Sequence, residues 1–366
     1  MKTEKKDLVT LVVLGLFLLG FSLWALFKPA DAASESERRA LAQLPEFTAQ
    51  SVLSGGFAQQ FEDYATDQFP LREPFRRLKA LTATRILRQR DNNGLYLREG
   101  YLSKLEYPMD LSSLDHVEER FSYLCQRYLR EAGCSVYLCA IPDKNYFLAA
   151  AGGYPSLDYE AFVQELRRRT DGMQYIDVFD LLELEDYYRT DTHWRQEKLL
   201  DVAERLAAGM GTHLTGSYTV HTLEKPFYGV YYGQAALPVP PEELCYLTGG
   251  AIDTCTVYNY ETGTYGPVYD RQKAEGRDPY EMFLSGPVSL LRLENPQNTS
   301  GRRLILFRDS FGSSIAPLLL EGYSSVTLVD IRYLASARLG DFIDFTGSDV
   351  LFLYSIPVLN NSETLK

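Results

Sequence analysis

The chain is short of the residues that most readily announce metal or redox chemistry. Its five cysteines are odd in number and form no C-x-x-C pair, which argues against a zinc ribbon and a disulfide-dense scaffold. Four histidines, none in an H-E-x-x-H arrangement, leave little from which to build a protein-held catalytic metal centre. Basic residues are also in deficit. Lys+Arg number 37 against Asp+Glu 49, for a net charge of −12, so the chain lacks the electrostatic footprint of a nucleic-acid binder. Only two tryptophans stand against 26 tyrosines and 19 phenylalanines, an aromatic load that suits carbohydrate or polar-ligand contacts and sheet edges alike. No fixed-period repeat is visible. At 45% hydrophobic and 23% charged residues the chain is neither disordered nor fibrous. Its 366 residues admit one large α/β domain with insertions or two smaller domains.

What is present begins at the N-terminus. Residues 8–27, LVTLVVLGLFLLGFSLWALF, form an uncharged run of 20 residues, about 30 Å long as a helix and so the thickness of a hydrocarbon core. Lys2, Lys5 and Lys6 precede it and Trp24 sits near its far end, which predicts a cytoplasmic tail over 1–7, a single-pass cell-membrane anchor over 8–27 and an extracytoplasmic remainder. A cleaved signal peptide is the competing reading, with Ala30-Asp31-Ala32 as the cleavage site. Against it, the apolar run exceeds the usual signal core, and Lys28-Pro29 interrupts before that site. Outside the cytoplasm Cys245 and Cys255 are placed either to close a small loop or to stay apart, while Cys134 and Cys139 flank a strand-like run and read as buried thiols.

Residues 28–94 read as a helical N-terminal region, with Phe57, Phe61, Tyr64 and Phe69 near helical spacing and Pro70 and Pro74 as punctuation. Glu62, Asp63 and Asp67 read as a solvated face or as partners of Arg72 and Arg76. From residue 95 strands and helices alternate: a hairpin around Gly100, a helix over 115–132, a strand over 135–141, a helix over 159–170, a strand over 175–179 and a helix over 199–210. Short apolar strands follow at 303–307, 325–329 and 350–354, with a helix over 313–321 between the first two. This rhythm predicts a doubly wound, mainly parallel sheet. Residues 216–301, rich in Tyr, Gly, Pro and Thr, break it and read as a β-rich insertion without a helix, one that covers the site or mediates contacts.

Two segments carry chemistry. RDSFG (308–312) follows a strand and precedes a helix, which puts the Ser310 hydroxyl at the C-terminal sheet edge, where open α/β folds place ligands. The backbone N–H groups of Ser310 and Phe311 would then face a developing oxyanion at the helix's positive end. A mere helix cap is the plain alternative. DTHW (191–194) supplies a base: His193 takes the serine proton if Asp191 fixes its tautomer. Of the other histidines, His116 lies in a helical stretch, and His213 and His221 border the insertion without acidic neighbours in catalytic spacing. Asp-x-His also supplies metal ligands, and a metal-dependent hydrolase would need a third. Trp194 is either core packing or a sugar platform. Lys144 and Asn145 follow the strand 135–141 onto the same sheet edge, and Arg332 and Tyr333 follow 325–329. Each has a substrate-contacting reading and a structural one, Arg332 as a partner of Asp330 or Asp309.

The anchor, FEDYATDQFPLR (61–72), DTHW, and RDSFG followed by LVDIRY (328–333) together resemble the DHHW proteins, which in turn look like the SGNH-like domains of the alginate O-acetylation proteins. The resemblance runs from about residue 36 to the end and is weakest over 216–301. It implies an SGNH-hydrolase-like α/β domain over 95–366 with Asp191 orienting, His193 as base and Ser310 as nucleophile. Thr192 replaces the second His of the name motif. Arg308 stands where many SGNH members have Gly, either as an extra cation beside the oxyanion or as a divergent turn. The separate Gly and Asn blocks of the oxyanion hole have no match. The activity implied is serine acyl transfer: O-acetylation or deacetylation of a cell-surface or exported polysaccharide. It needs no metal or organic cofactor beyond an acyl donor as co-substrate, and it implies a membrane O-acyltransferase as partner. An inactive polysaccharide-binding or assembly protein is the alternative.

Overall fold

A computed structural model describes residues 2–366, with side chains from residue 5 onward. Met1 of the expected cytoplasmic tail and the Lys2 side chain lie outside the described residues. The chain divides into two compact units: residues 1–92 with 232–238, and residues 93–231 with 239–366.

The first unit holds helices α1 (Lys2–Phe27), α2 (Gly56–Asp67) and α3 (Arg72–Leu81). Among the described residues α1 is the one helix long and apolar enough to cross a membrane. The unit is tied together by charge. The buried Asp67 carboxylate accepts from both Nη atoms of Arg39 (2.6 and 2.8 Å) and from the Ala42 amide (2.9 Å), while Arg72 Nη2 lies 3.4 Å from it and 2.6 Å from Glu37. Asp67 is therefore no solvated face: it is an interior acceptor for an arginine that the sequence places 28 residues away. Segment 232–238 joins the same network, with Arg76 Nη2 donating to the Gly233 carbonyl (2.6 Å) and Asn92 Nδ2 to that of Ala235 (2.8 Å). Gly233 packs so tightly that a Cβ there would lie 1.6 Å from the Ser36 carbonyl oxygen.

The second unit opens with the hairpin β1 (Leu95–Arg98) and β2 (Tyr101–Lys104), then α4 (Leu111–Leu124), started by Asp110, whose carboxylate accepts from the Ser112 and Ser113 amides. There follow β3 (Ser135–Ile141), α5 (Lys144–Gly152), α6 (Tyr159–Arg169), β4 (Gln174–Tyr175) and α7 (Leu200–Gly209). A small antiparallel pair, β5 (Tyr218–Thr222) and β6 (Cys245–Gly249), precedes β7 (Thr256–Asn259), β8 (Thr264–Gly266) and β9 (Leu290–Glu294). The chain ends through β10 (Arg303–Arg308), α8 (Gly312–Leu319), β11 (Ser325–Val329) and β12 (Asp349–Ser355).

The main sheet has eight strands in the order β8-β7-β9-β11-β10-β12-β3-β4. The five from β11 to β4 run parallel and the other three antiparallel. The parallel strands are apolar on both faces, as helices on both sides require. Leu304 and Leu306 of β10 and Leu351 and Leu353 of β12 join one core with α7 and α8; Ile305, Phe307, Val350 and Phe352 join the other with α4 and α6. This is the doubly wound α/β architecture expected. The chain leaves β10 for β11 on one side and returns to β12 on the other, so β10 ends where the strand order reverses, a place such sheets use for ligands.

Two expectations need correction. The strand foreseen over 175–179 shrinks to Gln174–Tyr175, because Phe179–Leu181 turns as a 3₁₀ helix with Asp177 bonding the Phe179 amide. Residues 216–301 include the short helices Val230–Ala235 and Arg271–Ala274. In keeping with the β-rich reading they also supply β7, β8 and β9, which extend the main sheet from β11. All five cysteines are free, so of the two readings of Cys245 and Cys255 the structure has the one in which they stay apart.

The Arg39 pair holds the Asp67 carboxyl at about 2, below its ordinary range. A depressed carboxylate pKa stabilises the fold above the unfolded value and loses that contribution as pH falls through the folded one. Wild type is therefore expected to exceed Asp67→Asn by about 2 kcal/mol near neutrality and to lose this margin between about pH 4 and pH 2. Urea unfolding of both chains across that window checks it.

Candidate active site

The site assembles where two segments separated by 117 residues meet. The first is a tight reversal from Tyr187 to Trp194, which pair as an antiparallel bridge, with the Tyr188 amide donating to the His193 carbonyl (3.0 Å). A buried ion on each side holds it. The Glu242 carboxylate accepts from the Arg189 amide (2.7 Å), the Thr190 amide (2.8 Å) and the Thr190 hydroxyl (2.6 Å). Lys144 Nζ donates to the carbonyls of Tyr188 (2.7 Å) and Asp191 (2.6 Å). Loop amides thus face an anion and loop carbonyls a cation, which satisfies polar groups that burial would otherwise leave costly. Burial pushes the Lys144 ammonium down to about 7, against the upward pull of Glu242, Asp191 and Asp143.

The second segment is the turn after β10. Asp309 Oδ1 accepts the Phe311 amide (2.9 Å), and its Oδ2 accepts the Ser355 amide (2.8 Å) and hydroxyl (2.6 Å) at the end of β12. The turn is thereby fixed to the neighbouring strand, and Ser310 is presented half-buried at the sheet edge. Gly312 is required here: a Cβ would lie 2.6 Å from the Arg308 Cβ, whose stem passes beneath it.

Between the segments runs a hydrogen-bonded relay. Asp191 Oδ1 lies 2.5 Å from His193 Nδ1, and His193 Nε2 lies 2.7 Å from Ser310 Oγ. With Nδ1–H donating to the carboxylate, Nε2 is left as the acceptor for the serine hydroxyl. Asp191 is itself held: Oδ1 also accepts the His193 amide (3.1 Å) and Oδ2 the Val230 amide (2.8 Å). Tyr280 stacks on the imidazole at 3.9 Å and 6° and donates to Ser314 Oγ (3.0 Å). Burial raises its phenol far above neutral pH, so it stays a neutral donor. His193 is 8% exposed. Among the described residues no group of three His, Cys, Asp or Glu side chains is placed to hold a metal ion.

Of the sequence-derived candidates the structure brings Asp191, His193 and Ser310 together and gives the others different surroundings. Trp194 is fully buried and no sugar platform; its Nε1 donates to the Phe311 carbonyl (3.1 Å) and Ser314 Oγ (2.9 Å). The Phe311 amide, expected to face an oxyanion, is taken by Asp309, and the Gly312 and Ser313 amides are also used within the turn. Arg308 is buried: Nη2 donates to the Val288 carbonyl (3.1 Å) and Nη1 lies 3.6 Å from Asp330. It belongs to a divergent turn, with no open face toward a substrate. Lys144 and Asn145 are interior; Asn145 Oδ1 accepts from Tyr96 OH (2.8 Å). Arg332 grips Asp330 through Nε (2.9 Å) and Nη2 (2.7 Å), and Tyr333 stays 53% exposed. Sequence reasoning missed Glu242, Val230, Tyr280 and Asp309. The first three come from the insertion, where no local motif marks them. For Asp309 the sequence offers only a pairing with Arg332. Thr192, the departure from the second His, donates or accepts no bond to Ser310; its hydroxyl receives that of Tyr231 (3.0 Å).

Gly229 abuts the relay, with an added Cβ 2.3 Å from Asp191 Cβ. Gly229→Ala is expected to cost about 1–3 kcal/mol of stability and to separate Asp191 from His193. The low-field imidazole N–H resonance of wild type in proton NMR would shift upfield or vanish; an unchanged resonance contradicts the packing argument.

No protein-family model matches the sequence, and no curated protein matches it. Solved structures do match in fold. A DHHW family protein from Eubacterium siraeum superposes with TM-score 0.59 at 20% identity, over 75% of this chain and 95% of its own. PatB1 of Bacillus cereus, also solved with a sulfonyl adduct, gives TM-score 0.56 at 17% identity, over 74% of this chain and 98% of its own. The O-acetyltransferase domain of Pseudomonas putida AlgJ is more distant, at TM-score 0.46 and 13% identity over 73% of this chain and 92% of its own. The chain thus shares the fold of the DHHW family protein and of PatB1.

Proposed function

We propose that this chain is a serine acyl-transfer enzyme held to the cell membrane by α1 and facing outward, which moves acetyl groups onto, or off, hydroxyls of an extracytoplasmic polysaccharide. The observation that carries the reading is the relay itself: an imidazole bonded 2.5 Å from a carboxylate on one side and 2.7 Å from a hydroxyl on the other. Structural serines and core histidines have no need of that order. The DHHW and PatB1 folds support the class of protein, and the polysaccharide acceptor and a membrane O-acyltransferase partner are part of the proposal by resemblance alone.

The steps follow from the geometry. Ser310 Oγ attacks the acyl carbonyl carbon while its proton passes to His193 Nε2. Asp191, accepting from Nδ1–H, holds the tautomer and stabilises the imidazolium. Collapse of the tetrahedral adduct breaks the bond to the donor's leaving oxygen, which takes the proton back from His193. An acceptor hydroxyl, or water, then gives its proton to His193 and attacks acyl-Ser310, and breakdown of the second adduct returns the serine its proton. Acceptor hydroxyl gives transfer and water gives hydrolysis; the chain needs no cofactor beyond the acyl donor for either.

The full chain in detergent is expected to release p-nitrophenol from p-nitrophenyl acetate, with Ser310→Ala and His193→Ala each losing about 10³-fold or more in kcat/KM. Asp191→Asn, which spoils the tautomer, is expected to lose at least about 10²-fold. Equal rates for wild type and Ser310→Ala would discard the nucleophile and leave a polysaccharide-binding or assembly protein.

A further inference from the structure

The first unit contains a stretch whose charge opposes that of the whole chain. Residues 72–90, REPFRRLKALTATRILRQR, hold seven Arg and Lys against Glu73 alone, in a chain of net −12. Helix α3 forms the first half of this stretch. Its Phe75 ring meets Phe21 of α1 edge-on at 5.7 Å, and Phe69 stacks on the same ring at 5.4 Å and 2°. Leu78, three residues after Phe75, shares its helix face; it and Leu71, which precedes the helix, remain 58% and 48% exposed, and beyond the helix Ile86 and Leu87 are 72% and 64% exposed. Arg72 and Arg76 are spent on Glu37 (2.6 and 3.2 Å). Arg77, Arg85 and Arg88 stand exposed among the apolar side chains.

Depth decides what covers this face. Phe21 lies six residues before the end of α1 at Phe27, about 9 Å along a helix axis. If α1 spans a bilayer, the rings packed on Phe21 sit below the outer surface of the hydrocarbon. The leucines beside Phe75 then meet acyl chains, at the depth that in-plane amphipathic helices occupy. Arginines interleaved with exposed apolar residues match anionic headgroups above those chains. We propose that residues 71–88 lie in the outer interface of the membrane beside α1, a second attachment whose partner is an anionic lipid surface. The proposal rests on the reading of α1 as a membrane span and is independent of the acyl-transfer chemistry.

The test uses the full chain in phosphatidylcholine vesicles with and without phosphatidylglycerol. Wild type has two tryptophans, Trp24 in α1 and the fully buried Trp194. Ile86→Trp and, separately, Leu78→Trp add a reporter at an exposed position. The added emission is expected to be blue-shifted and quenched by lipids brominated on the acyl chain, more so with phosphatidylglycerol. Arg77, Arg85 and Arg88 changed to Gln should cut that extra quenching at least twofold. Emission at the wavelength of a hydrated indole, quenched by iodide from the aqueous phase, overturns the proposal, and is also what a face reserved for another protein would show. Trp24 reads the premise separately: if it escapes brominated lipid in wild-type vesicles, α1 does not span, and the proposal falls with it. Trp24 quenched with both reporters hydrated removes the second attachment and leaves the anchor.

Discussion

The arrangement of the second unit depends on how residues 193–196 dock against the turn 310–314. Four bonds make the seam: His193 to Ser310, the Trp194 indole to the Phe311 carbonyl and to Ser314 Oγ, and Gln196 Nε2 to the Ser314 carbonyl (2.7 Å). Only the first touches the reacting atoms. The others lie in a dry interior, where each is worth more than at the surface and breaking one leaves a buried polar group unmet. Burying the large indole beside Phe311 supplies the apolar area that draws the two segments together; its N–H then fixes their register. The relay is short because its flanks are over-determined, and the imidazole has little freedom to swing.

The loop carrying Asp191 shows a second use of buried charge. A carboxylate and an ammonium would attract each other directly in an interior, yet Glu242 and Lys144 are each spent on backbone groups of 188–191. A buried ion that is hydrogen-bonded several times over is tolerable where an isolated one is not. The loop gains what a helix or strand would otherwise give it, partners for its amides and carbonyls, without adopting either. That frees the backbone to place a carboxylate and an imidazole two residues apart on the same side.

The sheet was legible because parallel strands buried on both faces must be short apolar runs, and RLILF, SVTLV and VLFLY have no other comfortable home. The Asp191, His193 and Ser310 set was legible because so few histidines compete and because a serine after such a strand has a fixed address at its edge. The insertion was legible only as β-rich. Composition does not say that its strands join the main sheet, since β9 does so by pairing to β11 and β7 and β8 follow in turn. Glu242 and Tyr280 were invisible for a related reason: Glu242 acts on Thr190 across 52 residues, Tyr280 acts on Ser314 across 34 and on His193 across still more, and neither sits in a local pattern. Lys144 and Trp194 misled differently. One follows a strand onto the edge that carries the serine and the other adjoins His193 in the chain, and nothing local says that their polar tips turn inward. Asp309 hid beside the serine, because its work, bonding Ser355 at the end of β12, is visible only once the strand order is known.

In the reaction proposed for this chain the same relay serves hydrolysis and transfer, so it cannot choose between them. On that proposal His193 takes the proton of whichever hydroxyl reaches acyl-Ser310, and nothing in the Asp191 contact changes with the identity of that hydroxyl. The choice falls to access. Tyr280 covers one face of the imidazole and Phe311 leans on it at 5.2 Å, which leaves the Nε2 edge beside Ser310 as the place where an incoming oxygen can be deprotonated. Water needs no help to arrive there; a sugar hydroxyl needs binding energy from the rest of its ring to compete with bulk water. Since Trp194, Lys144, Asn145 and Arg308 are all committed to the interior, that energy has to come from side chains outside the seam, and a preference for transfer would be a property of the surface around Ser310 and not of the catalytic set beneath it.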